Sequence, residues 1–279
     1  MHLTSVARVL PSMRIAIGLE YSGSAFAGWQ SQPDGRGVQD ALERALAAIA
    51  DAPVRAIAAG RTDAGVHATM QIVHFDAVAA RPDTAWVRGV NAHLPADVAV
   101  LWMHPVAPDF HARNAAEARH YTYVLANRPV RPALLAGRVG WYHRALDVAA
   151  MAEAAQALVG RHDFSAFRAA ECQAKSPTKA LTEVTIAQDG DQLRFDFRAD
   201  AYLQHMIRNI VGSLVYVGAG RHAPAWIAEL LAGRDRARAA PTFAPDGLYF
   251  TGADYDAKWA LPPTRRPVAL PRGESRESR

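Results

Sequence analysis

The sequence Gly60-Arg61-Thr62-Asp63-Ala64-Gly65-Val66-His67 connects two short apolar runs, Val54-Arg55-Ala56-Ile57-Ala58-Ala59 and Met70-Gln71-Ile72-Val73-His74-Phe75. The runs predict two buried strands, and the glycines predict that the connection turns sharply. A carboxylate in such a connection is held by rigid elements and remains open to a ligand. Taken by itself, the octapeptide leaves two interpretations. Asp63 either caps its own backbone in a tight loop or belongs to a functional site.

The elements around these two strands follow the β-α-β-β-α-β order of a ferredoxin-like unit. Apolar residues alternate from Met13 to Tyr21, which predicts a strand with one buried side. Apolar residues between Val38 and Ile49 recur at helical spacing, which predicts a helix. A short helical pattern at Thr84–Asn91 and a strand at Val98–Met103 complete this first unit.

The second half of the chain predicts the same order of elements. A strand at Arg119–Leu125 precedes a helix that Asp147 can cap. Gln188-Asp189-Gly190-Asp191 is a hairpin signal between two further strands. An apolar helix at Met206–Val215, a shorter helix and a strand at Leu248–Tyr255 follow.

The pattern therefore predicts an α+β fold made of two ferredoxin-like halves. We place the first half, which carries the Asp63 loop, at residues 13–108 and the second at residues 109–260. Residues 1–12 are expected to be a flexible terminus. Residues 261–279 are rich in Pro, Arg, Gly and Ser, which predicts a disordered tail.

Composition and charge restrict the class of protein. Half of the residues are apolar and 21% are charged, as in soluble globular proteins. The single cysteine, Cys172, excludes an intramolecular disulfide and fits a reducing cytoplasm. The 11 histidines show no Cys/His ligand spacing, so we expect no metal, and no apolar run predicts a membrane span. A net charge of +4 permits a polyanionic partner without requiring one.

The octapeptide Gly60–His67 resembles the active-site motif of the TruA family of tRNA pseudouridine synthases, without a substitution. Further blocks resemble the same family in the same order, from about Arg14 to Tyr255. Two positions depart from the family pattern, which usually has Asp at Ser22 and Arg at His120. The other matching blocks are Tyr21–Gln30, Asn91–Pro95, Asp109–Arg113, His120–Tyr123, His205–Gly212 and Gly247–Tyr249.

The resemblance implies one mixed sheet shared by both halves, with helices packed on it. It also implies an isomerase that converts uridine to pseudouridine at positions 38–40 of the tRNA anticodon stem-loop, as a homodimer without cofactor or metal. Asp63 would be the nucleophile, Arg208 its ion-pair partner, and Tyr121 the residue that stacks on the flipped uracil. Arg61 would contact phosphate or RNA, and Leu248 would belong to the substrate-binding residues.

The order of bond breaking stays open. Asp63 could add to the uracil ring, attack the sugar or remove a sugar proton. Two other classes of protein also fit two ferredoxin-like halves. A non-catalytic RNA-binding module or chaperone should carry the aromatic-basic signature of an RRM, which is absent. A small-molecule enzyme that binds phosphate at Gly60–Gly65 should carry a P-loop or dinucleotide fingerprint, and neither is found.

Overall fold

The computed structural model of this chain describes residues 13–78 and 80–271. Ten strands lie in this part of the chain. They are β1 (Met13–Tyr21), β2 (Ile57–Ala58), β3 (His67–Ala77), β4 (Val98–Pro105), β5 (Ala116–Asn127), β6 (Gly140–Tyr142), β7 (Gly160–Asp163), β8 (Thr178–Asp189), β9 (Gln192–Ala199) and β10 (Leu248–Tyr255). All ten belong to one sheet, with the order β4-β1-β3-β10-β5-β9-β8-β7, while β2 pairs with β3 and β6 pairs with β5.

Five α-helices connect these strands within the described residues. They are α1 (Val38–Ala50), α2 (Val90–His93), α3 (Val148–Gln156), α4 (Met206–Gly218) and α5 (Trp226–Gly233). A π-helical segment at Ala85–Gly89 leads directly into α2. Asp147 caps α3 as predicted, because its carboxylate accepts a hydrogen bond of 2.9 Å from the backbone N–H of Ala150. No helix in the described ranges is both long and apolar enough to cross a membrane.

The sheet contains two copies of one strand arrangement. In the first half β4, β1 and β3 are neighbours and β2 pairs with β3; in the second half the corresponding order is β10, β5, β9 and β8. Buried side chains of both halves, including Ile17, Leu46, Phe197 and Ile210, belong to one hydrophobic core. The prediction of an α+β fold with a single mixed sheet is therefore confirmed.

The two halves are joined where β10 lies between β3 and β5. Tyr249 and Phe250 pair in parallel with His67 and Ala68, whereas the pairing of β10 with β5 is antiparallel. The short β2 pairs with β3 only at Val73 and His74. The beginning of β3 is therefore free to pair with the second half. The Asp63 loop, which immediately precedes β3, lies at the joint between the halves.

The segment after β10 differs from its sequence-based prediction of disorder. Thr264 accepts a hydrogen bond of 3.2 Å from Ala253, and Arg266 donates one of 2.9 Å to Thr251, so this segment lies against β10. Val268 and Leu270 pack on buried residues of the sheet. Residues 261–271 thus contact the sheet instead of forming a disordered tail. Residues 1–12 and 272–279 lie outside the described residues, and the division at residue 108 stays a prediction.

Candidate active site

The Asp63 loop is held to the sheet by the residues on either side of the carboxylate. Thr62 is buried, and its carbonyl accepts a hydrogen bond of 3.0 Å from the N–H of Trp29. Its hydroxyl lies 2.8 Å from the hydroxyl of Tyr21 on β1. On the other side of Asp63, the side chain of Val66 is 1% exposed. These anchors fix the loop at both ends, which limits where the carboxylate between them can move.

Two glycines allow the Asp63 loop and the neighbouring backbone to pack closely against each other. Gly28 has φ of 97°, and a Cβ at this position would stand 2.8 Å from the carbonyl oxygen of Thr62. Gly65 has φ of 78° in the loop itself. Both backbone conformations are ones that residues with a side chain rarely adopt. The backbone at these two positions therefore favours glycine over any residue with a side chain.

Asp63 faces a cation supplied by the second half of the chain. Nη1 of Arg208 lies 3.5 Å from Oδ2 of Asp63, and the two side chains are 13% and 26% exposed, respectively. Arg208 is the only charged residue of α4, a helix that is otherwise apolar or buried. Its Nε donates to the carbonyl of Phe243 at 2.8 Å, which fixes the direction of the guanidinium. The expected pair of Asp63 and Arg208 is thus brought together by the fold.

Tyr121 lies on β5 beside the same loop. Its hydroxyl donates to the carbonyl of Arg61 across 3.4 Å, and its ring packs edge-on against Tyr202 and Phe250, with centroids 5.0 and 5.1 Å away. Burial, followed by the proximity of Tyr21 and Asp63, raises the pKa of the Tyr121 hydroxyl. The group therefore keeps its proton near neutral pH and can donate a hydrogen bond.

Two cavities meet at Asp63. A small one of about 40 Å³ lies between Asp63, Tyr121, Arg208 and Leu248. An open cavity of about 1010 Å³ continues outward from Asp63 and Tyr121, and Arg61 forms part of its wall. Each of the five residues that the sequence singled out therefore lines one or both of these adjoining cavities.

Two arginines in the wall of the open cavity form no ion pair in the part of the chain that the structure describes. Within the described residues, neither Arg61 nor Arg113 forms a salt bridge, although both line this cavity. Burial and the nearby charges of Arg61 and Arg119 lower the pKa of Arg113. The wall also contains the carboxylates of Asp63 and Glu171, but in the described ranges neither lies in a salt bridge with these two arginines, whose guanidinium groups are therefore available to an anion such as phosphate.

A second cleft, of about 600 Å³, lies on the other side of β5 and differs in charge balance. There Arg194 pairs with Asp196 at 2.7 Å and Arg198 pairs with Asp254 at 3.0 Å. Because its arginines are mostly paired with carboxylates, this cleft is the weaker candidate for binding a polyanion.

Within residues 13–78 and 80–271, no three His, Cys, Asp or Glu side chains form a group that could hold a metal ion.

Sequence reasoning missed two residues of the site. The ring of His67 is held by backbone groups, because it accepts a hydrogen bond from the N–H of Gly23 at 3.0 Å and lies 3.1 Å from the carbonyl of Asp246. His205, however, stands 3.6 Å from Asp63, and Tyr202 packs on Tyr121. His205 begins a block that the sequence did match to the family, but only Arg208 of that block received a role.

Comparison with known proteins supports one family. A family model described as tRNA pseudouridine synthase matches residues 18–113 and 154–256. A curated relative from Thiobacillus denitrificans, named tRNA pseudouridine synthase A, is 63% identical to this chain. The match covers 90% of this chain and 96% of the relative. In Chromobacterium violaceum a relative of the same name is 62% identical over 90% of this chain and 96% of the relative. One chain of a solved Cbf5-Nop10-Gar1 complex also resembles this structure, over 85% of this chain and 48% of that chain. The two are 10% identical in sequence, and their TM-score of 0.34 is too low to support an argument.

Proposed function

Since this chain belongs to the tRNA pseudouridine synthase family, we propose that it isomerises uridine to pseudouridine in the anticodon stem-loop of tRNA, at positions 38–40. The observation that carries this proposal is the carboxylate of Asp63, which faces Arg208 in a cavity built by both halves of the chain. Asp63 is the nucleophile in this proposal.

The reaction breaks the glycosidic N1–C1′ bond, rotates the uracil and forms a C5–C1′ bond. Substrate and product are isomers, so the reaction consumes no oxidant, reductant or group donor. The chain must supply an anion beside the nucleoside and keep the detached uracil enclosed. Asp63 provides the anion, and the guanidinium of Arg208 offsets the cost of keeping it charged when RNA displaces water.

Tyr121 and Leu248 would form the walls around the flipped base. The ring of Tyr121 is held edge-on by two aromatic neighbours, so it offers a rigid surface for stacking. Its protonated hydroxyl can relay a proton during the loss of hydrogen from C5. Arg61 and Arg113, which lack carboxylate partners among the described residues, would bind phosphates of the surrounding RNA.

A homodimer and a cytoplasmic location belong to the same proposal. Both rest on the resemblance to the family. The arginines in the wall of the open cavity suit a partner recognised by its phosphates and shape more than by its base sequence.

The proposal is tested by mapping pseudouridine in bulk tRNA before and after incubation with the purified chain. The tRNA should come from cells that lack the modification in the anticodon stem-loop. We expect new pseudouridine at positions 38–40 and nowhere else in the same molecules. New pseudouridine only at other positions would keep the activity and overturn the assigned target, and no new pseudouridine would overturn the proposed function.

A further inference from the structure

His205 adopts a backbone conformation that its side chain disfavours. Its φ is 62° and its ψ is 2°, at the residue that precedes α4. The N–H of Met206 donates to the carbonyl of Leu203 at 3.1 Å, so His205 is the third residue of a four-residue turn. Turns of this geometry usually place Gly or Asn at that position. The chain therefore carries a strained residue where an unstrained one would serve the turn equally well.

The imidazole of this strained residue faces the proposed nucleophile. Nε2 of His205 lies 3.6 Å from Oδ2 of Asp63, and the His205 side chain is 29% exposed. Arg208 approaches the same oxygen, at 3.5 Å. Within the described residues, Oδ1 of Asp63 takes part in no hydrogen bond and the ring of His205 has none with any other residue. Both partners therefore act on one oxygen and leave the other oxygen available.

The side chain of His205 faces the candidate site and not only the solvent. It lines the small cavity together with Arg208 and Leu248, and it also lines the open cavity together with Arg61. The imidazole thus stands where the two spaces meet, beside the carboxylate. Strained residues cluster at functional sites, where the surrounding structure holds them in place.

We propose that His205 is a positioning residue for Asp63. Together with Arg208 it holds Oδ2, so that Oδ1 is the oxygen directed at the nucleotide. Contacts of 3.5–3.6 Å are longer than hydrogen bonds, and they strengthen when bound RNA excludes water from the site. The inference rests on the proposed function and extends it, because it specifies which oxygen reacts and what orients it.

The test separates the imidazole from the backbone strain. His205→Gly removes the side chain and suits the turn, whereas His205→Gln keeps the backbone strain and places a side-chain N–H donor near the position of Nε2. For each variant, the single-turnover rate of pseudouridine formation and the Kd for tRNA are measured, together with the thermal unfolding midpoint. Asp51→Gly is the matched control, since Asp51 has φ of 54° at the end of α1 and does not line either cavity.

We expect His205→Gly to lower the single-turnover rate by about 10–100-fold, with Kd within about twofold, because a carboxylate misplaced by a fraction of an ångström loses reactivity before the RNA loses affinity. His205→Gln should recover most of that loss. His205→Gly and Asp51→Gly should unfold at or above the wild-type temperature, and Asp51→Gly should react at the wild-type rate.

A wild-type rate in His205→Gly would overturn the inference. So would a rate in His205→Gln as low as in the Gly variant, or a loss that appears in Kd instead of the rate, which would make His205 an RNA contact. The wild-type arm distinguishes these outcomes from failure of the proposed function. If the wild-type chain forms no pseudouridine, the function and this inference are both overturned; if it does, only the role of His205 is at issue.

Discussion

The two halves of the molecule share one strand arrangement, in which β8 and β9 of the second half correspond to β2 and β3 of the first. The two pairs of strands are connected differently. In the second half, β8 and β9 are joined by Gly190 and Asp191 alone, in a tight hairpin. In the first half, eight residues separate Ala58 at the end of β2 from His67 at the start of β3, and Asp63 lies among them. The same topological position is therefore a tight turn in one half and the loop that carries Asp63 in the other.

The length of one strand explains this difference. β8 pairs with β9 from Leu181 to Asp189, which leaves no residues for a loop. β2 contains only Ile57 and Ala58, so the chain leaves the sheet early and returns at the beginning of β3. The edge that β2 leaves uncovered is occupied by β10. A shortened strand thus creates both the loop and the joint that carries the loop toward Tyr121 and Arg208.

The strongest test of this comparison exchanges matched carboxylates for amides. Asp63→Asn should reduce pseudouridine formation to less than about a hundredth of the wild-type rate, because the amide keeps the shape and loses the anion. Its Kd for tRNA should stay within a few-fold of the wild-type value. Asp189→Asn alters an exposed carboxylate at the corresponding hairpin and should react normally. A rate above that limit, beyond what deamidation supplies, would remove Asp63 from the mechanism.

The next effect is expected at the two tyrosines on the first strands of the halves. Tyr121→Phe should lower the single-turnover rate by about 10²–10⁴-fold if its hydroxyl moves a proton. Its thermal stability should change little, since the hydroxyl makes only a long contact of 3.4 Å with Arg61. Tyr21→Phe should show the opposite pattern, with a loss of about 0.5–1.5 kcal/mol in the free energy of unfolding, because Tyr21 bonds Thr62 at 2.8 Å.

The measurements are single-turnover kinetics and urea unfolding of both variants. Burial raises the pKa of the Tyr21 hydroxyl to about 12, so this group also stays protonated, and protonation state alone does not distinguish the two positions. Equal rate losses in both variants would mean that Tyr121 acts by holding the loop, as Tyr21 does. A normal rate in Tyr121→Phe would leave stacking as its only contribution.

Much of this arrangement was readable from local sequence pattern. Alternation located β1, and the strand predicted at Leu248–Tyr255 has the bounds of β10. The hairpin signal at Asp189-Gly190 marked the connection of β8 and β9, where Gly190 has φ of 58°. These features depend on a few neighbouring residues, so the local pattern contains the information. The Asp63 motif was recognisable for the same reason.

The remaining features depend on contacts between distant residues. Nothing local indicates that Tyr249 pairs with His67, because parallel pairing is decided by which edge is left uncovered. The composition of the last residues favours disorder, yet Val268 and Leu270 find an apolar surface on the completed sheet. The strained backbone of His205 could not be anticipated either, since histidine seldom adopts positive φ.

The last expected effect, on stability alone, concerns the acidic groups that link strands within each half. Asp76 on β3 accepts two bonds of 2.8 Å from Arg14 on β1. Asp254 on β10 accepts two bonds of 3.0 Å from Arg198 on β9 and lies 2.9 Å from Nε2 of His120 on β5. The hydrogen bond from Arg14 lowers the pKa of Asp76 despite partial burial. Burial alone would raise the pKa of Asp254, but its contacts with His120 and Arg198 lower it overall.

Both shifts have the same sign for stability. A carboxyl with a lower pKa in the folded state than in the unfolded chain, where it is about 3.9, stabilises the fold above that value and loses this contribution as the pH falls through the folded pKa. At pH 7, Asp254→Asn should cost about 1.5–3 kcal/mol, since the Asp254 side chain is 22% exposed. Asp76→Asn should cost only about 0.2–1 kcal/mol, since Asp76 is 49% exposed. Urea unfolding from about pH 7 down to about pH 2 should show both differences nearly constant above the unfolded pKa of about 3.9 and shrinking toward zero below it. A cost that stays constant with pH would mean that the amides disturb packing and that the charges contribute nothing.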